Sequence, residues 1–556
     1  MRPTKELLKE GIDWHRENIQ KFKAGQLEAD DFRRKRLAYG VYYQLDHTSH
    51  MQRIKIPAGL LNGDQLEVLA EQCDKYGRGV GHVTTRQNIQ FHWVPIEETP
   101  TMFEALDAVG ITTRGACADS VRTVTACPHS GLSKNGAFDV VPYARALTDH
   151  FLFSDYSLSL PRKFKMALSD CKEDAAFAMI HDVGYYAKIR NENGKEIKGF
   201  SVYCGGGLGG QPHEAVSVHE FIPAENLLVF SEAIIRLFHR DGNRKDRRKA
   251  RSKFLVKSLG AEEYTKRLLE LYAKVDAEIG KELREDLQYY LSHFKLPEPL
   301  PLEASGEPQG ITDPEYLHWR RTNVEAQKQK GYFMVTVKLI RGDFTSQDLR
   351  GLSKLTRRFT HGAIRITQEQ NFLLPSVRGQ DLYEVYQSLK SMKLAEADAR
   401  HITDVLSCPG ADYCSLAVTR SMRMAAKLRE FLLAWNQSAE EIGPFHVKIS
   451  GCPNSCGQHQ IGDIGLTGMM AKDSNGVEKE HYSIMVGGGS IEGKLTLGTR
   501  LKGKFPEEDS PKVLAALAVH YKKNRAEKES FHDFVQRVGM GSLNKIARQA
   551  VNVSPD

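Results

Sequence analysis

Four of the nine cysteines in this 556-residue sequence stand in two close pairs, Cys408-Pro-Gly-Ala-Asp-Tyr-Cys414 and Cys452-Pro-Asn-Ser-Cys456. Two pairs of thiolates can wrap a metal site, and sulfur ligands select zinc, copper(I) or iron-sulfur clusters. Structural zinc usually has two to four residues between paired cysteines. The five between Cys408 and Cys414 suit a larger cuboidal cluster better. On spacing alone, zinc and unliganded core cysteines remain alternatives.

A second chemistry-bearing set lies in the first half and is cationic. Arg53-Ile-Lys55 and Lys163-Phe-Lys165 each put two positive side chains at i and i+2, on one face if the segment is a strand. Apolar and proline flanks mark these segments as half-buried, and buried cations need anions. Arg122 stands in an apolar run just ahead of Cys127. Thr84 to His92 reads as a strand with Arg86, Asn88, Gln90 and His92 on one face. Such a polar face suits either solvent or a large polyanionic cofactor.

The elements that must position these residues are written twice. Ile56 to Phe91 lines up without gaps on Leu339 to Leu374, 283 residues on, matching Gly59 to Gly342 and Gln87-Asn88 to Gln370-Asn371. At a spacing of 281, Cys127-Pro128 meets Cys408-Pro409, Cys171 meets Cys452, and Asp182-Val183-Gly184 meets Asp463-Ile464-Gly465. The positions matching Cys414 and Cys456 are Ser133 and Ala175. The first half therefore lacks two of the four thiols and cannot build the same site, and Cys127 and Cys171 are expected to be buried structural residues. Cys73, Cys117 and Cys204 have no partner by spacing. Each half predicts a strand (Met51 to Ile56, Phe333 to Leu339), a helix (Asp64 to Tyr76, Ser346 to Phe359) and a strand carrying the Gln-Asn pair. A larger mixed unit with glycine-rich turns follows in each. The proline-rich stretch Leu296 to Pro314 predicts a linker, preceded by a helix over Ala261 to Phe294.

Composition narrows the class. Nine cysteines in a chain of this size do not make a secreted disulfide scaffold, and neither a signal peptide nor an apolar run of membrane-spanning length is present. The expectation is a cytoplasmic protein with no membrane association. The net charge of +7 is modest; the best basic run, Arg244 to Lys253, has no interleaved aromatics, so nucleic acid is not expected.

Taken together, these motifs resemble the siroheme-dependent sulfite and nitrite reductases. C-x5-C with C-x3-C is that family's cluster signature. The order Arg53-x-Lys55-x-Pro57, Thr84 to His92, Arg122, Leu160-Pro-Arg-Lys-Phe-Lys165, Gly205-Gly-Gly-Leu208 and Asn243 to Lys253, then the cysteines, is the family's order. The resemblance runs from about Arg34 to the C-terminal helices.

It implies an α+β fold of pseudo-twofold, duplicated architecture. An N-terminal arm (1–46) would precede a ferredoxin-like half-domain (47–115) and a siroheme and substrate domain (116–295). After a linker (296–325) would come a second ferredoxin-like half-domain (326–398) and an iron-sulfur domain (399–556).

It also implies a [4Fe-4S] cluster on Cys408, Cys414, Cys452 and Cys456, with Cys456 bridging to the siroheme iron. Arg86, Gln90, His92, Arg162 and Lys253 would contact the macrocycle or its carboxylates. Arg53, Arg122, Lys163 and Lys165 would surround the substrate anion. The expected reaction is six-electron reduction of sulfite to sulfide, with nitrite to ammonia as the alternative. Sulfite is favoured because position 165 is lysine where the nitrite branch usually has asparagine. Thr123 departs from the asparagine many members carry after the arginine. Electrons would come from a separate protein, a ferredoxin or a flavoprotein, in an assimilatory role.

Overall fold

The repeated helices show why this sequence folds as it does. In Gly63–Tyr76, apolar residues recur at Leu66, Leu69, Ala70 and Cys73, all buried. Asn62 caps it reciprocally with Gln65, the two backbone-to-side-chain bonds being 2.9 and 3.0 Å. Ser346–Phe359 repeats the device with Thr345 and Asp348. The computed structural model describes residues 3–552 apart from 47, 157, 304–305, 436 and 473–475.

Each half-domain is a five-stranded sheet that borrows one strand from the other half. Leu60–Leu61 leaves the first half to pair with Ile364–Ile366 of the second, and Asp343–Thr345 of the second pairs with Val80–Val83 of the first. The chain crosses at a left-handed turn made twice, at Ala58-Gly59 (φ 52° and 71°) and Arg341-Gly342 (φ 60° and 73°). A Cβ on Gly59 would lie 2.5 Å from the Ile366 carbonyl oxygen, so glycine is required there by both conformation and space. The two half-domains consequently share one hydrophobic core.

The repeated Gln-Asn pair holds this exchange together. Gln87 donates across to the Ile366 carbonyl at 2.8 Å, and Gln370 donates across to the Val83 carbonyl at 2.7 Å. The same amides accept from Ala126 N at 3.0 Å and Ser407 N at 3.1 Å. Asn88 and Asn371 accept from the Ile56 and Leu339 amides of their own halves. These bonds bend the chain, and of the strand expected over Thr84 to His92 only Ile89 onward is strand, in Ile89–Val94; residues 84–88 form the turn that joins it to Val80–Val83, with Gln87 at φ 54°. Gln90 and His92 lie on a strand; Arg86 and Asn88 lie on the turn.

The larger units repeat as well. In the first, Thr125–Ala126, Met166–Ser169 and Val183–Glu192 run parallel, and Lys195–Cys204 and Val216–Pro223 continue the sheet antiparallel. In the second, Leu406–Ser407, Val447–Ser450 and Ile464–Lys472 run parallel, followed by antiparallel Glu478–Val486. Each has its own core, the first closed by Leu227–Asp241 and the 33-residue helix Ala261–His293. The proline-rich stretch carries no helix among its described residues before Pro314, but the span expected to be linker ends in the helix Pro314–Asn323. Among the described residues, no helix is long and apolar enough to cross a membrane.

Candidate active site

The four paired cysteines follow the ends of adjacent parallel strands. Cys408 follows Leu406–Ser407, Cys452 lies just beyond Val447–Ser450, and Cys414 and Cys456 sit on the loops that continue from them. The Cys408 Sγ accepts from Gly451 N at 3.3 Å and lies 3.4 Å from the Ser421 hydroxyl. Burial pushes the Cys408 thiol up to about 12 and also raises Cys414 and Cys452, each of which feels Cys456 electrostatically. Cys456 alone of the four is exposed.

One tetrahedral zinc with bonds of about 2.3 Å would hold its sulfurs roughly 3.8 Å apart. Among the described residues, no three of these four thiols belong to a group whose ligand atoms all lie within 4.8 Å of one another. The wider spread suits a cuboidal cluster.

Two links bring the first half onto this loop: the Thr85 hydroxyl donates to the Cys456 carbonyl at 3.0 Å, and the His92 ring packs on Tyr413 with centroids 4.2 Å apart. The cations gather on the same side. Lys163 is lowered by burial, then by Arg122 and Arg251; Lys165 is lowered by burial, then by Arg86, Lys163 and Arg251. The opposite charge that both feel is Cys456. Arg122 is fixed by three bonds to the Ala116 and Ala118 carbonyls, at 2.6 to 3.1 Å, which orient its charge without neutralising it. Arg53 and Gln90 face each other across two strands; with its oxygen turned to Arg53, the Gln90 amide accepts from Nε at 3.1 Å and Nη2 at 2.6 Å. Arg53 Nη1 also lies 3.6 Å from the Cys117 sulfur.

Other buried polar groups here lack partners. Arg86 bonds the Thr123 carbonyl through Nη2, while its buried Nε and Nη1 have no hydrogen-bond partner. Burial, then neighbouring Arg122, lowers its pKa, and Asp182 opposes this only in part. His92 Nδ1 is likewise orphaned, and burial lowers the ring to about 3, leaving it neutral. Buried donors of this kind are normally satisfied. A macrocycle fringed with carboxylates would satisfy them, so these residues fit siroheme.

Two of the residues expected at the siroheme have protein partners. Lys253 donates to the carbonyls of Gly207, Leu208 and Gln211 and so ties down the glycine-rich loop. Arg162 pairs at 3.1 Å with Asp119, which Arg247 also holds. Sequence reasoning passed over Arg251, which joins the cationic group while bonded to Asp182 at 2.8 Å, and Asp182 itself, which accepts from Lys165 N at 2.9 Å. The signal was available in the repeated Asp-x-Gly block: Asp463 accepts from His446 N, the position matching Lys165, at 2.7 Å.

The pseudo-twofold mate of this site has lost its charge. Arg53, Arg86, Arg122, Lys163 and Lys165 correspond to Thr336, Glu369, Thr403, Pro444 and His446. Glu369 and His446 pair with each other at 3.1 Å.

Family models describe about four-fifths of the chain. The nitrite and sulphite reductase 4Fe-4S domain matches residues 117–276 and 398–554, and the nitrite/sulfite reductase ferredoxin-like half domain matches 43–109 and 325–392. The chain is 28% identical to the assimilatory ferredoxin-dependent nitrite reductase of Haloferax mediterranei, covering 90% of this chain and 84% of the relative. It is 26% identical to sulfite reductase [ferredoxin] 2 of Mycolicibacterium paratuberculosis, over 90% and 84%. The structure of the Mycobacterium tuberculosis NirA protein superposes with a TM-score of 0.76 at 25% identity, covering 97% of each chain. With two cysteine pairs on adjacent strand ends and a wall of unneutralised cations facing them, the chain belongs to the nitrite and sulfite reductase family, whose cofactors are a [4Fe-4S] cluster and siroheme.

Proposed function

We propose that this enzyme reduces sulfite to sulfide, taking up six electrons and releasing three oxygens as water. The observation that carries the reading is Lys165, a second half-buried ammonium beside Lys163, with no carboxylate paired to either ammonium among the described residues. Four cations at Arg53, Arg122, Lys163 and Lys165 suit an anion that can carry two charges better than one that carries a single charge.

Cys408, Cys414, Cys452 and Cys456 would hold the cluster, with Cys456 on the side facing the cations; Arg86, Gln90 and His92 would hold the siroheme. Bound siroheme supplies the iron at which the anion is reduced, and the cluster supplies electrons one at a time. Arg122, fixed by its carbonyl partners, and Arg53, fixed by Gln90, hold the anion's oxygens and polarise the S–O bonds. Lys163 and Lys165 have depressed proton affinities, so each can give a proton to a departing oxygen and recover it from solvent. Asp182 holds the Lys165 backbone in place.

The donor is a separate acidic carrier of the ferredoxin class, a reading supported by the names of the Haloferax and Mycolicibacterium relatives and by the net charge of +7. Turnover with each anion and reduced ferredoxin tests the proposal. Sulfide release from sulfite is expected; ammonia from nitrite with no sulfide from sulfite would reverse the assignment.

A further inference from the structure

The first half kept Cys127 and Cys171 at the positions of Cys408 and Cys452, and the structure places them together. Their sulfurs and an oxygen of Asp170 all lie within 4.8 Å of one another, the one such group of His, Cys, Asp and Glu among the described residues. Asp170 is 2% exposed, and neither of its carboxylate oxygens has a hydrogen bond of good geometry; its polar neighbours are the Cys127 thiol and the Ser130 hydroxyl.

The position matching Asp170 in the cluster-bearing half is Gly451, whose amide bonds Cys408. An acidic side chain therefore enters where the other half has none, while the third and fourth thiols are gone. Such a pocket is too small for a cuboidal cluster and has the donor set of a single ion. Cys127 and Cys171 also line a cavity of about 390 Å³, with His129 and Glu173, through which water can reach the site.

We propose that Cys127, Cys171 and Asp170 form a second, mononuclear metal site that takes a borderline-soft divalent cation of the zinc class, its fourth position filled by water from the cavity. Two thiolates, a carboxylate and water make a four-coordinate shell of the kind zinc accepts. The ion would give the buried carboxylate a cationic partner and tie the loop after Thr125–Ala126 to the loop after Met166–Ser169. It does not depend on which anion the enzyme reduces.

Reduced, full-length holoenzyme dialysed against zinc chloride and then washed should retain one zinc per chain in addition to its iron. Cys171→Ser and Asp170→Ala should each weaken zinc retention at least tenfold, with iron content and siroheme absorbance unchanged. Asp170→Ala replaces an unsatisfied buried carboxylate with a methyl group, so it is expected to fold. If both variants lose iron, zinc X-ray absorption on the wild-type enzyme decides: two sulfur ligands at about 2.3 Å support the site, and an all-oxygen shell overturns it. Wild-type enzyme that retains no zinc, variants that retain it equally, or a Cys127–Cys171 disulfide in the purified protein would also overturn it.

Discussion

Lys165→Asn removes one of four cations and leaves a neutral, shorter hydrogen-bond donor in its place. At an effective dielectric near 20, unit charges about 4 Å apart interact by roughly 4 kcal/mol, and a hydrogen bond to a charged group contributes about 1.5–3 kcal/mol net. Burial, then Arg86, Lys163 and Arg251, weaken the hold of Lys165 on its proton, which offsets part of that attraction, and the lower range applies. A doubly charged anion loses about twice what a singly charged one loses. The extra cost to sulfite is therefore about 1.5–3 kcal/mol, or roughly 10- to 100-fold in the ratio of kcat/KM for sulfite over nitrite.

The assay is steady-state turnover of both anions with the same reduced donor, with iron and siroheme content as controls for folding. Removing the Lys165 charge also lifts a repulsion from Lys163, so the alkaline limb of the pH profile should move to higher pH. If both anions lose activity equally, or the ratio is unchanged at full cofactor content, substrate choice does not rest on charge at position 165.

Nitrite keeps one charge across neutral and mildly alkaline pH, so it isolates the enzyme's own protons. Lys163 and Lys165 hold theirs less tightly than free lysine, and binding an anion draws them back; nitrite KM should therefore rise with pH, by up to about tenfold per unit for each proton taken up, and a flat profile would refute the linkage. Arg86→Ala should lower siroheme affinity about 10- to 100-fold, the value of one charge-assisted bond, while cluster iron is retained; equal loss of both would make Arg86 a folding residue. Gly457→Ala would put a Cβ 1.9 Å from the Ile449 carbonyl oxygen and move the loop carrying Cys456, so iron per chain should fall, at a cost of about 1–3 kcal/mol. Phe344→Ala removes a 2% exposed ring from the exchanged strand and should cost about 3–5 kcal/mol. Because that strand completes the other half's sheet, calorimetry should show both half-domains melting together at a lower temperature; two separate transitions would contradict the shared core.

Residues whose partners lie nearby in the chain were legible. Both helices could be placed because their apolar spacing is local, and the four cluster cysteines were found by spacing. The cationic wall was legible as residue types but not as a wall: Arg53, Arg122 and Lys163 converge only because three separate segments meet at Cys456. Arg251 was hidden because a basic run looks the same whether it is solvated or bonded to an aspartate 69 residues away. The Gln-Asn pair was seen to repeat, yet its alternation was taken for one strand. The bonds that bend it, Gln87 to Ile366 and Gln370 to Val83, run 279 and 287 residues along the chain, and no local pattern encodes them.

Those same bonds explain why a duplicated chain has one active site. Strand exchange and the reciprocal glutamines make each half a structural part of the other, so neither could be lost once the two were joined. The chemistry is already divided between the halves: thiols from one and cations from the other meet at the Cys456 loop. Each half therefore uses one of its two inherited surfaces for catalysis, and the two surfaces left over face each other across the mate of the active site. There the cation positions carry Thr336, Glu369, Thr403, Pro444 and His446, and the cluster positions carry Ser133 and Ala175 beside Cys127 and Cys171. With neither macrocycle nor cluster to satisfy it, that surface had to neutralise its own buried groups. Glu369 and His446 do so by pairing with each other; Asp170 has no such partner among the described residues.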